Sequence, residues 1–191
     1  GFKLAHIKRV FMPKEITPAI TATPEPKTIA IIKAYPSLEA YSLKQLDMLQ
    51  RELDRQADIK STTGADLFYA QVKQNKLRGN LEKHSPVVFV YFDYANTLSK
   101  LDKGLEEVLL PAAKTALEIQ VSGRTDSIQA SKADVSIAKQ RAENIKKYLV
   151  KNGVDASIIT VEHLPEGDFL LPPRPSVSKA VNRRAEIIIK P

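Results

Sequence analysis

An aspartate and an arginine, Asp126 and Arg141, stand fifteen positions apart in a pattern that can bring their charged groups together. Residues 118–122 alternate polar and apolar side chains, which is typical of a half-buried β-strand, and Gly123 lets the chain turn directly after them. Apolar residues at helical spacing then predict a helix over 135–151. Arg141 lies about 70° from the centre of that apolar stripe. We therefore expect its guanidinium at the helix rim, facing solvent beside the carboxylate.

The simplest interpretation of such a pair is a salt bridge that serves no ligand. An exposed ion pair contributes only about 0–1 kcal/mol to stability, however, so stability alone is a weak reason for placing these residues together. An arginine also offers a planar fork that bonds a carboxylate through two nitrogens, which lysine cannot do. The pair is therefore a candidate binding site.

Catalytic, metal and cofactor sites have no candidates in this sequence. Its three histidines, at 6, 84 and 163, are scattered and form no i,i+4 pair. No serine stands in a G-x-S-x-G elbow, and no glycine-rich phosphate-binding motif is present. The absence of cysteine excludes disulfides, thiol catalysis and thiolate metal sites. We predict a protein that is not an enzyme and that uses no metal or cofactor.

Composition favours a globular protein with extended parts. The chain has 191 residues, of which 43% are hydrophobic, and a net charge of +7 that is spread along its length. That charge alone would permit nucleic-acid binding, but no motif of interleaved basic and aromatic residues supports it, so we expect no nucleic-acid partner. No apolar run approaches the roughly 20 residues that span a bilayer. Residues 1–3 do not resemble a signal peptide, so we expect a membrane link only through a leader or anchor outside this sequence.

The first predicted unit, residues 1–36, is an extended proline-rich segment with prolines at 13, 18, 24 and 26. It can be a disordered linker or a tether between an anchor and the globular part, and we favour the tether. A further possibility is that residues 29–32 pair as an edge strand with the domain or with a partner.

The second predicted unit, residues 37–85, is helical. Ser37 can cap a helix over 37–57, and a break at 61–64 precedes a second helix over 65–81. The two helices can pack on the domain that follows or can dock another protein, and the sequence leaves both interpretations open. The predicted apolar side of the second helix consists of Leu67, Phe68, Val72, Leu77 and Leu81.

The third predicted unit, residues 86–191, alternates strands and helices and closes on a strand. A continuous apolar run over 87–92 is typical of a central strand that is covered on both faces. Pro111 inside the first helix predicts a kink or a break. The long loop 163–181 is unusual for a connection and suggests a functional or partner-binding role. We predict one mixed sheet from strands 87–92, 119–122, 158–161 and 185–189, with helices over 101–116 and 135–151 packed on it.

Four segments together resemble a known family. The OmpA-like peptidoglycan-binding domain, shared by OmpA, the Pal lipoproteins and the flagellar stator protein MotB, has a first strand V-x-F-D-F, a strand end G-H-T-D, a helix motif L-S-x-x-R-A and a closing strand N-R-R-V-E-I. The segments that are similar to these, over a match of roughly 87–190, are VYFDY at 90–94, GRTDS at 123–127, IAKQRA at 137–142 and NRRAEI at 182–187. The resemblance implies an α+β fold, with a β-α-β-α-β-β mixed sheet and helices packed on it.

The sequence departs from the family pattern at several positions. Arg124 replaces the usual histidine, Asp134 stands where many members have asparagine, and Ile137-Ala138 replaces Leu-Ser. The family's G-x-G-E-x-x-P segment is barely visible in 162–173. These departures concern the ligand pocket more than the fold.

The resemblance implies a ligand and roles for individual residues. The family binds the diaminopimelate residue of the peptidoglycan stem peptide, whose free end carries an ammonium and a carboxylate. By resemblance Asp126 takes the ammonium and Arg141 takes the carboxylate. Thr125 orients Asp126, and Asp134 either accepts from the ligand or caps the helix, of which we favour the cap. The residues implied to line the pocket where the first strand ends are Phe92, Asp93 and Tyr94.

The closing motif contains two more arginines, Arg183 and Arg184. We expect them to support the fold, although one of them can face the pocket.

The resemblance also implies a non-catalytic cell-wall anchor in the periplasm of a Gram-negative bacterium, attached to the outer membrane or within an envelope-spanning complex. Its partners would be peptidoglycan and, through the N-terminal segment, other envelope proteins. A lipoprotein, a motor stator and a subunit of a secretion or conjugation machine all fit. The alternative is a scaffold subunit that keeps the fold without binding peptidoglycan. A third interpretation is a binder of anionic polymers or nucleic acid that relies on charge alone.

Overall fold

The computed structural model of the protein describes residues 35–60, 62–174 and 176–191. The proline-rich segment predicted over 1–36 and the edge strand considered at 29–32 lie outside these ranges, except for Tyr35 and Pro36. The elements in chain order are α1 (Leu38–Ala57), α2 (Gly64–Glu82), β1 (Val87–Tyr91), α3 (Lys103–Thr115), β2 (Glu118–Ser127), α4 (Lys132–Lys151), a 3₁₀ turn (Ala156–Ile158), β3 (Ile159–Glu166), α5 (Ser176–Asn182) and β4 (Arg184–Lys190).

The four strands form one mixed sheet in the order β1-β4-β2-β3. β4 pairs antiparallel with both β1 and β2, whereas β2 and β3 are parallel and are joined through α4. At the centre of the sheet Val121 lies opposite Ile187 on one side and Val161 on the other. The predicted α+β fold, with its four strands in a single sheet, is confirmed.

One face of the sheet packs against α3 and α4. Leu105 and Leu109 of α3 and Leu149 of α4 are fully or almost fully buried against Val121 and Ile187 of the strands. Full burial of one such side chain stabilises the fold by about 1.5–3 kcal/mol. This core holds α4, the helix that carries Arg141, firmly against β2.

The other face of the sheet is covered by α1 and α2. Leu46 and Leu49 of α1 and Leu77 of α2 are buried together with Phe89 of β1 and with Leu170 of the segment after β3. Of the two interpretations of the helical segment, packing on the following domain is therefore the one that the structure supports. The two helices share a hydrophobic core with the sheet.

The predicted apolar side of α2 is wrong at two positions. Phe68 is 64% exposed and Val72 is 48% exposed, whereas α2 buries Ala70, Gln74 and Leu77. The face that packs on the sheet includes a glutamine because the Gln74 amide donates to the carbonyls of the segments beneath it. A buried polar side chain with such partners does not appear in an apolar pattern.

β1 lies at an edge of the sheet, so the prediction of a central strand is wrong, although both its faces are buried as predicted. Side chains of α1 occupy the edge. The Ser42 hydroxyl donates to the Val87 carbonyl (2.6 Å) and accepts from the Val87 N–H (3.2 Å). The Gln45 amide nitrogen donates to the Phe89 carbonyl (3.1 Å), and its oxygen accepts from the Phe89 N–H (2.9 Å). Helix α1 thus takes the place of a fifth strand and closes the edge to further pairing.

Replacing Gln45 with alanine is expected to lower the free energy of unfolding by about 2 kcal/mol, because it leaves the buried N–H and carbonyl of Phe89 without partners. Urea titration followed by circular dichroism measures the loss. Gln50 to alanine is the matched control on the same helix, since Gln50 bonds only other side chains near the surface. Equal losses in the two variants would contradict the role given to Gln45.

β2 is longer than predicted, because the chain does not turn at Gly123. The strand continues to Ser127, and Gly123 pairs with His163 of β3 inside it. A Cβ atom at Gly123 would lie 1.9 Å from the Ala138 carbonyl oxygen of α4. The glycine is therefore required for the close approach of α4 to the sheet and not for a turn. This approach sets the distance between Asp126 and the helix.

The helix of 101–116 was predicted to kink or break at Pro111. Instead α3 runs without a break from Lys103, after the N-cap Asp102, to Thr115. Pro111 lies on the exposed side of the helix.

The loop predicted over 163–181 is mostly structured. β3 extends to Glu166, and the short helix α5 spans Ser176–Asn182, so the connection that remains is 167–175. This connection and α5 come back over the end of β2. They therefore contribute residues to the candidate site.

Candidate functional site

A cavity of about 850 Å³ lies where β2 ends and α4 begins. Its walls come from the segment after β1, the end of β2, the first two turns of α4, and the chain from 173 to 183. The lining residues are Tyr94, Ala95, Thr125, Asp126, Ser127, Ile128, Ser131, Ala133, Asp134, Ile137, Arg141, Pro173, Arg174, Lys179 and Arg183. The structure therefore brings together on one surface five of the seven residues predicted for the site.

Arg141 is at the back of the cavity and is only 1% exposed, so the predicted position on a solvent-facing rim is wrong. Its Nε donates to the Asn96 carbonyl (3.0 Å), Nη1 to the Arg124 carbonyl (2.8 Å) and Nη2 to the Asp93 carbonyl (3.3 Å). The side chain is drawn inward because these carbonyls, at the ends of β1 and β2, converge on the helix. Each terminal nitrogen keeps one further N–H, and in the ranges that the structure describes neither has another partner.

The charge of Arg141 is held in an apolar setting. Its guanidinium carbon lies 4.9 Å from the ring centroid of Phe92, a cation–π contact. Burial and, second, the nearby Arg183 lower the pKa of Arg141, and Asp126 and Asp134 act in the opposite direction, so that the resulting pKa is about 10. The group is therefore still a cation at neutral pH, and its poor solvation favours an anion as its partner.

Asp126 is bonded by Arg183 and not by Arg141. The Arg183 Nη1 lies 3.1 Å from the Asp126 Oδ2, with 7% and 16% of the two side chains exposed. Arg183 also donates to the Phe92 carbonyl (3.4 Å). Of the two arginines in the closing motif, Arg183 is thus the one that faces the cavity. The closing motif indicated that an arginine could face the cavity, but the sequence alone could not tell which of the two arginines does so.

Thr125 shapes the bend that carries Asp126 into the cavity. Its hydroxyl donates to the Pro165 carbonyl and accepts from the Ser127 N–H (3.2 Å). The pairing of β2 with β3 is irregular at the same place, between Arg124 and Ser127. The buried threonine therefore fixes the end of the strand, as expected of a residue that orients Asp126.

Asp134 forms a capping box with Ser131 at the start of α4. Its Oδ2 accepts from the Ser131 N–H (2.8 Å) and hydroxyl (2.7 Å), and the Asp134 N–H donates to the Ser131 hydroxyl (3.2 Å). Burial acts to raise the pKa of Asp134, but the bonds from Ser131 and Ser127 and the charge of Arg141 together outweigh burial and lower the pKa. Asp134 lines the cavity and at the same time takes part in the cap of α4, as the third helical residue that bonds back to the N-cap Ser131.

The three residues predicted at the exit of the first strand differ in position. Tyr94 is 81% exposed and lines the cavity. Phe92 is buried beneath Arg141, and Asp93 contributes its carbonyl to Arg141, so neither is among the lining residues. The structure therefore gives Phe92 and Asp93 contacts that hold Arg141 in place.

Arg124, which stands at the family's histidine position, points to the opposite face of the sheet. There it joins an ion cluster of Lys73, Arg124, Asp168, Arg184 and Glu186. Asp168 accepts from Arg124 (2.9 Å) and Lys73 (2.6 Å), and Glu186 accepts from Lys73 (3.0 Å). The Arg124 side chain is therefore not among those that line the cavity, and its ion cluster ties α2 to the sheet.

Two cavity residues, Arg174 and Lys179, carry no signal in the sequence that marks them as site residues, because they fall in the stretch predicted as a loop. Both are exposed, and neither forms an ion pair within the described part of the chain. They place two additional cations on the wall formed by the connection after β3 and by α5.

The chemistry of the cavity suits a charged organic ligand. In residues 35–60, 62–174 and 176–191 there is no group of three or more histidine, aspartate or glutamate side chains placed to hold a metal ion. Over the same ranges, no helix combines the length and apolarity that crossing a membrane would require. What the cavity offers is carboxylates, guanidinium groups and an ammonium group.

Comparison with known proteins shows which family the region around this cavity resembles. A family model described as the OmpA family matches residues 96–183. The "Probable lipoprotein YiaD" of Escherichia coli K12 is 35% identical over 97 residues, which cover 51% of this chain and 42% of the relative. A lipoprotein of Brucella melitensis, named as a candidate outer membrane component of a type IV secretion system, is 34% identical over 85 residues, which cover 44% of this chain and 48% of the relative. The chain thus spans less than half the length of these curated relatives.

Among solved structures, the peptidoglycan-associated lipoprotein from Burkholderia pseudomallei aligns with a TM-score of 0.47 at 23% identity, covering 53% of this chain and 89% of that one. The cell wall anchor of the type VI secretion system from Pseudomonas aeruginosa aligns with a TM-score of 0.44 at 19% identity, covering 61% of this chain and 94% of that one.

The family match contains both parts of the candidate site, since it includes the end of β2 with Asp126 and the helix α4 with Arg141, and it ends at Arg183. Domains of this family are non-catalytic binders of peptidoglycan, so the predicted family is confirmed for this region of the chain. Residues 96–183 of this chain form an OmpA family domain.

Proposed function

We propose that this domain binds peptidoglycan through the free end of the diaminopimelate residue, with Asp126 receiving the ammonium and Arg141 the carboxylate. The observation that carries the proposal is that both residues line one open cavity, a carboxylate on one wall and a preorganised guanidinium at its back. The N–H groups that Arg141 has left over point to a ligand carboxylate as the missing partner.

The rigidity of Arg141 supports this role. Three backbone carbonyls and the Phe92 ring fix its side chain before any ligand arrives, so binding does not have to order it. Two charge-assisted hydrogen-bonding contacts of about 1.5–3 kcal/mol each correspond to an affinity near the millimolar range for an isolated diaminopimelate. Retention on a whole sacculus would then depend on many weak sites of this kind.

Arg183 contributes to the proposed binding through its pairing with Asp126. It pairs with Asp126 before the ligand binds, so the ligand ammonium has to share the carboxylate with it or displace one of its bonds. A carboxylate has two oxygens and about four acceptor positions, which is enough for both cations. Arg183 therefore sets the orientation of Asp126.

We further propose that the domain anchors an envelope protein or complex to the cell wall in the periplasm. The lipoproteins among the relatives support a place near the outer membrane. In this proposal the chain before residue 37 is the tether, residues 37–85 are the helical segment, and residues 86–191 are the peptidoglycan-binding domain. Contacts with other envelope proteins would be made through the N-terminal part.

A scaffold that does not bind peptidoglycan is the second candidate, and one observation favours it. Asp126 and Arg141 already have protein partners, namely Arg183 and the three backbone carbonyls, so both side chains have structural roles without a ligand. The two candidates differ only in whether the cavity binds a ligand.

Retention on isolated sacculi separates these candidates. The protein is expected to be retained about 10-fold more strongly on diaminopimelate-containing sacculi than on lysine-containing ones, because lysine lacks the second carboxylate that Arg141 would bind. Free meso-diaminopimelate is expected to release it, and free L-lysine is not. No retention on either sacculus would favour the scaffold. Retention that falls steeply with salt and shows no preference for diaminopimelate would indicate an anionic-polymer binder.

A further inference from the structure

The cavity carries more positive charge than the proposed ligand end requires. Six charged side chains line it: Asp126, Asp134, Arg141, Arg174, Lys179 and Arg183. Asp126 is paired with Arg183, and Asp134 is bonded by Ser131 at the helix cap. A diaminopimelate end has one ammonium and one carboxylate and is neutral overall. Binding it therefore leaves the surplus of cations on the wall uncompensated.

The surplus is concentrated on one wall. Arg174 lies on the connection before α5 and Lys179 is on α5, whereas Arg183, directly after α5, is already paired with Asp126. The effect of like charges is already visible deeper in the cavity, where the nearby Arg183 acts to lower the pKa of Arg141. A wall of cations beside another cation favours a second anion in the same cavity.

The size of the cavity also indicates a ligand that is larger than one amino-acid end. A volume of about 850 Å³ is near the upper end of the range of about 300–1,000 Å³ for pockets that enclose a whole small ligand. One amino-acid end fills a small part of it. The remaining space extends toward the wall of Arg174 and Lys179 and can hold the next residues of a peptide.

We propose that Arg174 and Lys179 form a second anion subsite, which binds another carboxylate of the same stem peptide. The inference rests on the proposed function and extends it from a single amino-acid end to a longer peptide. The carboxylate can be the peptide's C-terminus or the free α-carboxylate of its γ-linked glutamate. Because both cations are exposed, the contact is screened by solvent and adds selectivity more than affinity.

The test compares peptides that differ by one charge. A synthetic stem tetrapeptide that contains meso-diaminopimelate is titrated calorimetrically into the protein in three forms: unmodified, amidated at the C-terminal carboxylate, and amidated at the glutamate α-carboxylate. The unmodified peptide is expected to bind about 5-fold more tightly than one of the amides, and that amide identifies the carboxylate in the subsite.

The variant that tests the residues is the double substitution R174Q/K179Q. It is expected to bind all three peptides equally, while its affinity for free meso-diaminopimelate stays within about twofold of the wild type. The matched control is K139Q/K147Q, which removes the same two charges from exposed positions of α4 outside the cavity and is expected to keep the 5-fold preference.

Three results would overturn the proposal. Equal binding of all three peptides by the wild type would show that no second carboxylate is bound. Loss of the preference in K139Q/K147Q as well would show that only overall charge matters. Failure of the wild type to bind free meso-diaminopimelate and every peptide would contradict the proposed function itself, and the subsite with it.

Discussion

Replacing Glu186 with glutamine is expected to lower the free energy of unfolding by about 3–5 kcal/mol. Glu186 is 2% exposed at the centre of the ion cluster, where Arg184 and Lys73 (3.0 Å) bond its carboxylate and Arg124 lies 3.8 Å away. Glutamine keeps the volume but removes the negative charge, so the buried Arg124 and Arg184 and the largely covered Lys73 would share the single carboxylate of Asp168. An uncompensated buried charge is among the most costly changes in a protein interior.

Chemical denaturation of the two proteins measures this loss. The matched control is Glu118 to glutamine, because Glu118 also lies in a strand and pairs with Lys190 (2.8 Å), but both side chains are 45% exposed. An exposed pair contributes about 0–1 kcal/mol, so this variant is expected to be nearly as stable as the wild type. If the two substitutions had the same effect, the ion cluster would not hold α2 on the sheet.

The lowered pKa of Glu186 makes the stability of the fold depend on pH. Burial acts to raise the pKa of Glu186, but Arg184, Lys73 and Arg124 outweigh it and lower the pKa to about 2, from an ordinary value of 4.5. A carboxylate whose pKa is lower in the folded than in the unfolded protein stabilises the fold at pH values above its unfolded pKa. This contribution is lost as the pH falls toward the folded pKa. Glu186 to glutamine is therefore expected to flatten the decline in stability between about pH 4.5 and pH 2.

Replacing Asp126 with asparagine is expected to weaken the binding of meso-diaminopimelate by about 10-fold or more, because the ligand ammonium loses its only charged partner at that wall. The variant is expected to stay folded, because the asparagine Oδ1 can still accept from Arg183, and Arg183 keeps its bond to the Phe92 carbonyl. Binding and folding can thus be separated at Asp126.

Arg141 does not offer the same separation, contrary to what its predicted rim position implied. Truncation to alanine would remove the donor from three carbonyls and the contact with Phe92, so folding and binding would be lost together. Lysine at this position would keep the charge, but it could not reach all three carbonyls from one nitrogen. Asp126 is therefore the residue on which the function is best tested.

Local rules explain the parts of the fold that could be predicted from the sequence. Alternation around Ile119 and Val121 predicted β2, and these residues are fully buried. Ser37 caps α1 as predicted, and Gly153, with φ of 91°, follows the end of α4 in the left-handed conformation expected there. Each of these signals depends on neighbours within a few positions.

The features that could not be predicted depend on distant contacts. Arg141 is buried because carbonyls up to 48 positions away converge on it. The edge of β1 is closed by side chains 44 and 45 positions earlier in the chain, and Lys73 reaches Glu186 across 113 positions. A strand that is buried on both faces has the same apolar pattern whether it is central or at an edge. The sequence therefore identified the residues of the site more accurately than their burial and pairing.

Calorimetric titration of meso-diaminopimelate into the wild type and the Asp126 to asparagine variant measures whether Asp126 binds the ammonium of diaminopimelate. Asp47 to asparagine serves as control, because Asp47 also pairs with an arginine, Arg78 (3.0 Å), at a site outside the cavity. We expect the wild type and the control to bind, and the Asp126 variant to bind at least about 10-fold more weakly. Equal affinity in all three proteins would contradict this role of Asp126.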